Sequence, residues 1–85
     1  MTFIRAILAL TSGKIVRRKG WNEKDVYLYL IKGSQLSTGL KYGFGEYVGE
    51  PRFVDTIAMK TEENTIVVGW LASQTDMLAN DWVEL

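Results

Sequence analysis

The side chains best suited to ligand chemistry lie in residues 69–82, whose sequence is GWLASQTDMLANDW. Two of the three tryptophans of the chain bracket this segment, and its pattern predicts a strand followed by one or two helical turns. Ser73 suits the N-cap position, and Asp76, three residues later, comes close to the capping-box pattern. The free amides and the positive dipole end of such a helix start favour an anion. Capping accounts for Ser73 and Asp76 but not for Gln74 and Thr75, which are candidates for contacting polar groups of a ligand.

The second candidate is a basic run that ends in a tryptophan, RRKGW at residues 17–21, and it is the only dense cluster of positive charge. The indole of Trp21 can stack on a base while Arg17 or Arg18 reaches a phosphate. Neighbouring residues of a strand point to opposite faces, so at most one of the two arginines serves the same pocket. The alternative is structural, with Trp21 half-buried against the N-terminal helix and the arginines facing solvent. On spacing alone, the structural alternative is favoured.

The chain offers little for catalysis, because it contains neither histidine nor cysteine. Their absence excludes disulfides, thiol chemistry, most zinc sites and the commonest general base. A carboxylate pair is the remaining option, but Asp76 and Asp81 are five residues apart and would lie on different faces of a helix. Asp81 is better explained as a helix-end or hydrogen-bonding residue. We therefore predict a protein that is not an enzyme, with no catalytic residues, no metal site and no cofactor.

The overall charge argues against a polyanion as the partner. Ten basic and ten acidic residues cancel, whereas a duplex DNA binder normally carries a strong basic excess. No segment approaches the ~20 apolar residues that a membrane span needs. The apolar stretch at residues 1–10 lacks a basic region ahead of it and is interrupted by Arg5, which disfavours a signal peptide. The expected partners therefore include neither nucleic acid nor membrane.

The pattern of apolar residues predicts the elements that position these side chains. Residues 2–12 are expected to form a helix with an apolar stripe of Phe3, Ile7 and Leu10, ended at Gly13. Residues 26–31 are apolar on both faces, which is typical of a strand that is central in a sheet or covered by a partner subunit. The other expected elements are a strand at residues 14–19, a turn at 20–22, a hairpin of 56–61 and 65–71, a helix from Gln74 and a strand at 82–85.

The order of these elements predicts a single domain over residues 1–85 with an α+β fold, in which a small antiparallel sheet packs with an N-terminal helix and a short C-terminal helix. Residues 33–55 are predicted to be a long loop, since they hold five of the eight glycines and the only proline. A loop of that length in a small domain is functional or mobile. Its aromatic side chains, Tyr42 and Phe44 among them, are candidates for lining a pocket or a subunit contact.

A family resemblance rests on four blocks of residues: AxxALxxGKxVxRxxW at 6–21, YxxL at 27–30, AMKT at 58–61 and GWxxSQTDMLAxDW at 69–82. Together they span nearly the whole chain, and they closely resemble the phage-encoded Thoeris anti-defence proteins of the second type. Those proteins bind cyclic nucleotide immune signals made by bacterial TIR-domain proteins, chiefly glycocyclic ADP-ribose, and hold them without cleavage. Some relatives are thought to take cyclic dinucleotides. The central loop matches only in being long and rich in glycine.

The resemblance implies a sponge, meaning a protein that sequesters its small-molecule ligand intact, in the cytoplasm of the bacterial host cell. It also implies a homo-oligomer, a dimer or a tetramer, with ligand pockets between subunits. The residues that match the family pattern and suit a pocket are Arg18, Trp21, Ser73, Gln74, Thr75 and Asp76. In the interpretation we favour, Trp21 stacks on the base, Arg18 pairs with phosphate, and Thr75 and Asp76 contact ribose hydroxyls. Chemistry alone adds four further candidates, Asn22, Tyr27, Tyr42 and Phe44.

Three other functions stay open at this point. The first is a protein–protein module that caps a host enzyme with its aromatic loop. The second is a hydrolase of the same signals that uses Asp76 or Asp81 with a metal. The third is a binder of single-stranded nucleic acid, against which the neutral net charge counts.

Overall fold

Five strands form one antiparallel sheet in the computed structural model of the protein, which describes residues 1–40 and 52–85, and of Asn22 and residues 37–40 only the backbone. The elements in chain order are α1 (Phe3–Thr11), β1 (Val16–Arg18), a 3₁₀ helix (Lys19–Lys24), β2 (Tyr27–Ile31), α2 (Gly33–Leu40), β3 (Thr56–Lys60), β4 (Ile66–Val68), α3 (Gln74–Leu78) and β5 (Trp82–Glu84). The predicted α+β class, with its N-terminal and short C-terminal helices, is confirmed.

Strand β2 lies at the centre of the sheet, whose strand order is β4-β3-β2-β1-β5. Leu28 pairs with Val16 of β1 on one side and with Met59 of β3 on the other. The central position explains why the β2 sequence is apolar on both faces, as the pattern predicted. The chain reaches the opposite edges of the sheet through the β3–β4 hairpin and through β5, which returns to pair with β1.

Helix α1 covers one face of this sheet and forms the core with it. Ala6 and Leu10 of the helix pack with three sheet residues, Val16, Leu28 and Trp82, and all five are almost completely buried. The helix begins at the predicted place because the Thr2 hydroxyl accepts a hydrogen bond from the Arg5 amide at 3.3 Å. It ends after Thr11, where Gly13 takes a left-handed φ of 84° that a glycine adopts without strain.

The opposite side of the sheet, which we call the open face, is formed by alternate residues of the same strands. The strand registers place ten residues on it: Arg17, Tyr27, Tyr29, Ile31, Thr56, Ala58, Lys60, Ile66, Val68 and Val83. Its apolar residues stay accessible at the β4 edge, since Ile66 is 48% exposed and Val68 is 53% exposed. The sheet therefore presents two chemically different sides, one packed under α1 and one on which the accessible β4 residues adjoin the buried Ala58 and Lys60.

The prediction of a long loop over residues 33–55 is wrong at its beginning, where α2 occupies Gly33–Leu40. The helix start is stabilised from a distance, because the Gly33 amide donates to Asp55 Oδ1 at 2.9 Å. A contact between residues 22 positions apart cannot be predicted from the sequence around Gly33, which is rich in glycine and serine. Residues 41–51 lie outside the described part of the chain, and so do the candidates Tyr42 and Phe44.

The remaining elements follow the predicted order with small changes of boundary. The turn expected at 20–22 is part of the longer 3₁₀ helix. This helix ends at Lys24 and is followed by Asp25, which has a left-handed φ of 53°. The predicted β3–β4 hairpin is confirmed, with Asn64 at a φ of 62° in its turn. Strand β4 ends at Val68, before the predicted end at Leu71. None of the helices in the described ranges is long and apolar enough to cross a membrane.

Candidate functional site

Arg18 is the centre of a polar cluster on the α1 side of the sheet. At the end of β1, its Nη1 donates to Asp76 Oδ1 at 3.0 Å, and its Nε donates to Asp81 Oδ1 at 2.9 Å. Its Nη2 lies 3.5 Å from Asp81 Oδ2. The Arg18 side chain is 22% exposed. One guanidinium thus holds together the end of a strand, the start of α3 and the segment that leads into β5.

Asp76 has a second role as the closing residue of the α3 cap. The Ser73 hydroxyl accepts from the Asp76 amide at 3.1 Å, while Asp76 Oδ2 accepts from the Ser73 amide at 3.2 Å and from its hydroxyl at 2.8 Å. This reciprocal pair is the capping box that the sequence predicted. Both oxygens of the Asp76 carboxylate therefore have donors within the protein.

The expectation that Asp76 and Asp81 face different directions is wrong, because the helix is shorter than that argument assumed. Helix α3 ends at Leu78, and the chain turns back toward the sheet before Asp81. The indole Nε1 of Trp82 donates to the Asp76 backbone carbonyl at 2.9 Å and fixes this turn against the helix. Asp81 accordingly meets the same guanidinium as Asp76, which agrees with its predicted role as a hydrogen-bonding residue.

The electrostatics of the Arg18 cluster follow from these contacts. Burial alone would raise the pKa of Asp76, but the hydrogen bonds from Ser73 and the contact with Arg18 outweigh burial and lower the pKa. The hydrogen bond from Arg18 lowers the pKa of Asp81. The two carboxylates in turn raise the pKa of Arg18, with the Asp81 hydrogen bond contributing most. One cation and two anions give the cluster a formal charge of −1, which is unfavourable for attracting a phosphate.

Three tryptophans and a phenylalanine form an aromatic cluster beside Arg18. Trp21 meets Trp82 edge to face, with ring centroids 5.4 Å apart, and meets Trp70 in the same manner at 6.4 Å. Phe3 of α1 packs against Trp82 at 5.5 Å. Trp82 is fully buried, whereas Trp21 and Trp70 are half-buried at the edge of the core. These are the favoured geometries of aromatic pairs, and each ring adds packing energy.

The ten candidate residues do not all meet in one place. Arg18, Trp21, Ser73 and Asp76 lie together on the α1 side of the sheet, and Gln74 and Thr75 are exposed in the first turn of α3. Tyr27 lies on the open face, where its ring is 6.2 Å from that of Tyr29. The remaining three lie outside the described side chains: Asn22, Tyr42 and Phe44.

Two residues discussed in the sequence analysis but not among the ten candidates belong beside them. Asp81 completes the Arg18 cluster, and no spacing rule finds it because the chain reverses direction between α3 and β5. Arg17 lies on the open face with a buried Nε for which the described residues provide no hydrogen-bond partner. The alternation of strand residues is the signal that separates the two arginines.

A metal site is not evident in the described parts of the chain. Across residues 1–40 and 52–85, no three histidine, cysteine, aspartate or glutamate residues converge in a way that could hold an ion. The two carboxylates that do converge, Asp76 and Asp81, have the Arg18 guanidinium between them. A positive side chain already occupies the position where a cation would bind.

Fold and site together define a small α+β domain. Its polar cluster binds the start of α3, and an aromatic cluster packs beside it. The chain belongs to the family described as the Thoeris anti-defense 2-like domain, a class of anti-defence proteins, and the match covers residues 1–85. The chain is similar to a protein of Bacillus phage SP01 named Thoeris anti-defense 2. The two are 44% identical over 82 residues, which are 96% of this chain and 91% of the phage protein. The predicted family is confirmed.

Proposed function

We propose that this protein blocks Thoeris immunity by binding a cyclic nucleotide signal, glycocyclic ADP-ribose, and holding it without cleavage in the cytoplasm of the bacterial host cell. The observation that carries the proposal is its membership of the Thoeris anti-defense 2-like family over its full length. The 44% identity with a phage protein of that name supports the same role in a host cell. Sequestration is the mechanism that the chemistry of the chain favours.

Sequestration rather than hydrolysis is supported by the state of the carboxylates. An efficient general base has a pKa near the working pH. Asp76 and Asp81 instead have pKa values below the usual range, because Arg18 and Ser73 stabilise their charged forms. Asp25 is likewise held charged by its hydrogen bond with Lys60, which lowers its pKa. The chain has no histidine or cysteine to take their place. A metal-dependent hydrolase built on Asp76 and Asp81 is disfavoured for the same reason, since Arg18 separates them.

The ligand class fits the side chains that the fold leaves accessible. A cyclic adenine nucleotide has an aromatic base, hydroxyl-bearing riboses and a pyrophosphate. Half-buried aromatic rings that suit the base lie on both sides of the sheet, Trp21 on the α1 side and Tyr27 on the open face. On the α1 side, the exposed polar side chains of Gln74 and Thr75 suit ribose hydroxyls. The phosphate requires an available cation, which the Arg18 cluster does not offer.

We also propose that the working form is a homo-oligomer. Large apolar side chains remain exposed on α1, where Ile4 is 74% and Leu8 is 61% exposed, and on the β4 edge. Exposed apolar patches of this kind mark surfaces that associate with protein. Sedimentation equilibrium over a hundredfold range of concentration tests this point. A constant monomer mass would contradict it.

Calorimetric titration with glycocyclic ADP-ribose tests the proposed function directly. We expect a saturable isotherm, and we expect chromatography of the heat-denatured complex to recover the ligand unchanged. An altered product would show an enzyme instead. If no heat is released, cyclic dinucleotides are the next ligands to titrate. A failure with both would favour the protein–protein inhibitor, for which a stable complex with a host protein is the signature.

A further inference from the structure

We propose that Arg17, together with Tyr27 and Tyr29, forms a phosphate-binding site for a nucleotide on the open face of the sheet. This inference rests on the proposed function and assigns its phosphate contact to a residue that the family pattern does not mark. It moves that contact from Arg18 to the neighbouring arginine, on the other side of the same strand. The two guanidiniums lie on opposite faces of the sheet, and they differ in the contacts that each already makes.

The position of Arg17 follows from the strand register. Val16 of β1 pairs with Leu28 of β2 in antiparallel fashion, so Arg17 lies beside Tyr27 on the open face. On its other side Tyr27 pairs with Lys60 of β3. Tyr27 thus lies between two cationic side chains in one row across the sheet. Side chains in such cross-strand positions are close enough to contact one ligand.

Only one of these two cations forms a direct ion pair within the described ranges. Lys60 Nζ donates to Asp25 Oδ2 at 2.8 Å and to the Asp25 carbonyl at 3.0 Å, and it lies 5.9 Å from the Tyr27 ring centroid. Arg17 makes no ion pair with any residue of the described ranges. The pKa of Asp25 is lowered mainly by its hydrogen bond with Lys60 and also by the charge of Arg17. Among the described cations of the open face, Arg17 is therefore the one without a direct ion-pair partner.

The Nε of Arg17 is the observation that points to a ligand. It is buried, and none of the described residues provides a hydrogen-bond partner for it. A buried donor without a partner is unfavourable, and such groups in folded proteins call for a specific explanation. A phosphate accepts two parallel hydrogen bonds from the Nε and Nη edge of a guanidinium. A change of the Arg17 rotamer that exposes this edge would let a phosphate satisfy the donor.

The surroundings of Arg17 suit the rest of a nucleotide. A shallow depression of about 340 Å³ on the protein surface is lined by Ile15, Tyr27, Tyr29 and Ile66, among others. The two tyrosine rings are 6.2 Å apart and tilted by 49°, so a base can contact one ring while the other borders the sugar. Tyr27 links the arginine to the depression, because it lies beside Arg17 and also lines the depression.

The test compares Arg17→Gln with Arg5→Gln in calorimetric titrations with glycocyclic ADP-ribose. Arg5 is exposed on α1, on the other side of the sheet, so its variant removes the same charge away from the site. We expect Arg17→Gln to weaken binding by roughly 10- to 100-fold, as the loss of hydrogen bonds to a charged group does. Arg5→Gln should bind as the wild type does. Arg17→Lys keeps the charge but loses the two-pronged edge, and we expect it to fall between them.

The outcomes separate this inference from the proposed function. If the wild type fails to bind, the proposed function fails and this inference with it. If the wild type binds and Arg17→Gln binds equally well, only the inference is overturned.

The mass of each variant in solution is measured in parallel. A loss of affinity that accompanies dissociation of an oligomer would overturn the site, because a second copy of the chain would then be the occupant of the open face. If Arg17→Gln does not fold, Arg17→Lys and Tyr29→Leu decide the matter, since normal affinity in both would contradict the site.

Discussion

Arg17 and Arg18 are neighbours in one strand, yet they lie in opposite chemical surroundings. Arg18, on the α1 side, contacts two carboxylates within 3.0 Å and fixes three segments of the chain. Arg17, on the open face, has a buried Nε without a hydrogen-bond partner among the described residues. A cation that is ion-paired inside the protein stabilises the fold, whereas one without a direct ion pair is better placed to meet a ligand. The two arginines therefore distinguish a structural region from the proposed binding region, although both regions carry the residues expected of a nucleotide site.

The largest effect that this comparison predicts is on the structural side. Trp82→Ala removes a fully buried ring that contacts Phe3 and Trp21. We expect it to lower the free energy of unfolding by about 3–5 kcal/mol, as large-to-small core substitutions do. Urea denaturation followed by circular dichroism measures this change. Tyr29→Ala, on the half-buried open face, is the matched control, and an equal loss in the control would contradict the distinction between the two sides.

The two arginines themselves give the next largest difference. Arg18→Gln leaves Asp76 and Asp81 without their shared cation, so we expect a loss of about 1–3 kcal/mol in the free energy of unfolding. In a domain of this size, thermal denaturation should show a fall in Tm of roughly 4–8 °C for each kcal/mol. Arg17→Gln breaks no ion pair among the described residues and loses only a longer-range attraction to Asp25, so it should change stability by less than about 0.5 kcal/mol. If the two variants lose the same stability, the assignment of structural and binding roles is wrong.

Loss of the α3 cap should have a smaller effect. Ser73→Ala removes the hydroxyl that accepts from the Asp76 amide, and substitutions of this kind cost about 1 kcal/mol. Gln74→Ala, one residue later on an exposed side chain, controls for a general effect of alanine in this turn. Chemical denaturation of both variants makes the comparison. Equal stability of the two would show that the capping box does not stabilise the helix start.

The smallest predicted effect is a dependence of stability on pH. The pKa values of Asp76 and Asp81 are lower in the folded protein than the ordinary value of about 3.9. Their contribution to stability is therefore fully present above that value and is lost as the pH falls through the lower folded-state pKa values. Urea midpoints measured from pH 7 down to pH 2 should decline below about pH 4. The decline should be shallower in Arg18→Gln, and an identical slope would contradict the role of this ion cluster.

Local patterns were sufficient to predict most of the fold. The apolar stripe of α1, the doubly apolar β2 and the turn before β4 all act over a few residues, and their elements are confirmed. The α2 helix was missed because its start is bound by Asp55, a residue 22 positions away. Contacts of that kind cannot be inferred from a periodicity.

The candidate site was predictable only in part, for the same physical reason. The capping box of Ser73 and Asp76 is a local motif and was found. The convergence of Asp76 and Asp81 on Arg18 depends on a reversal of the chain after Leu78, and the spacing argument gave the wrong geometry. Strand alternation correctly placed Arg17 and Arg18 on opposite faces. It did not indicate which guanidinium would be matched by carboxylates, since that depends on the return of β5 beside β1.

The central claim is that the protein removes its signal by binding and does not consume it. The most direct measurement incubates glycocyclic ADP-ribose with one-tenth of an equivalent of protein and follows the free ligand by ultrafiltration and chromatography over hours. We predict a prompt loss of at most one molecule of free ligand per binding site of the protein. The concentration of free ligand should then stay constant, and heating should release all of the bound ligand intact. A steady decline of the free ligand, with a new product, would contradict the account.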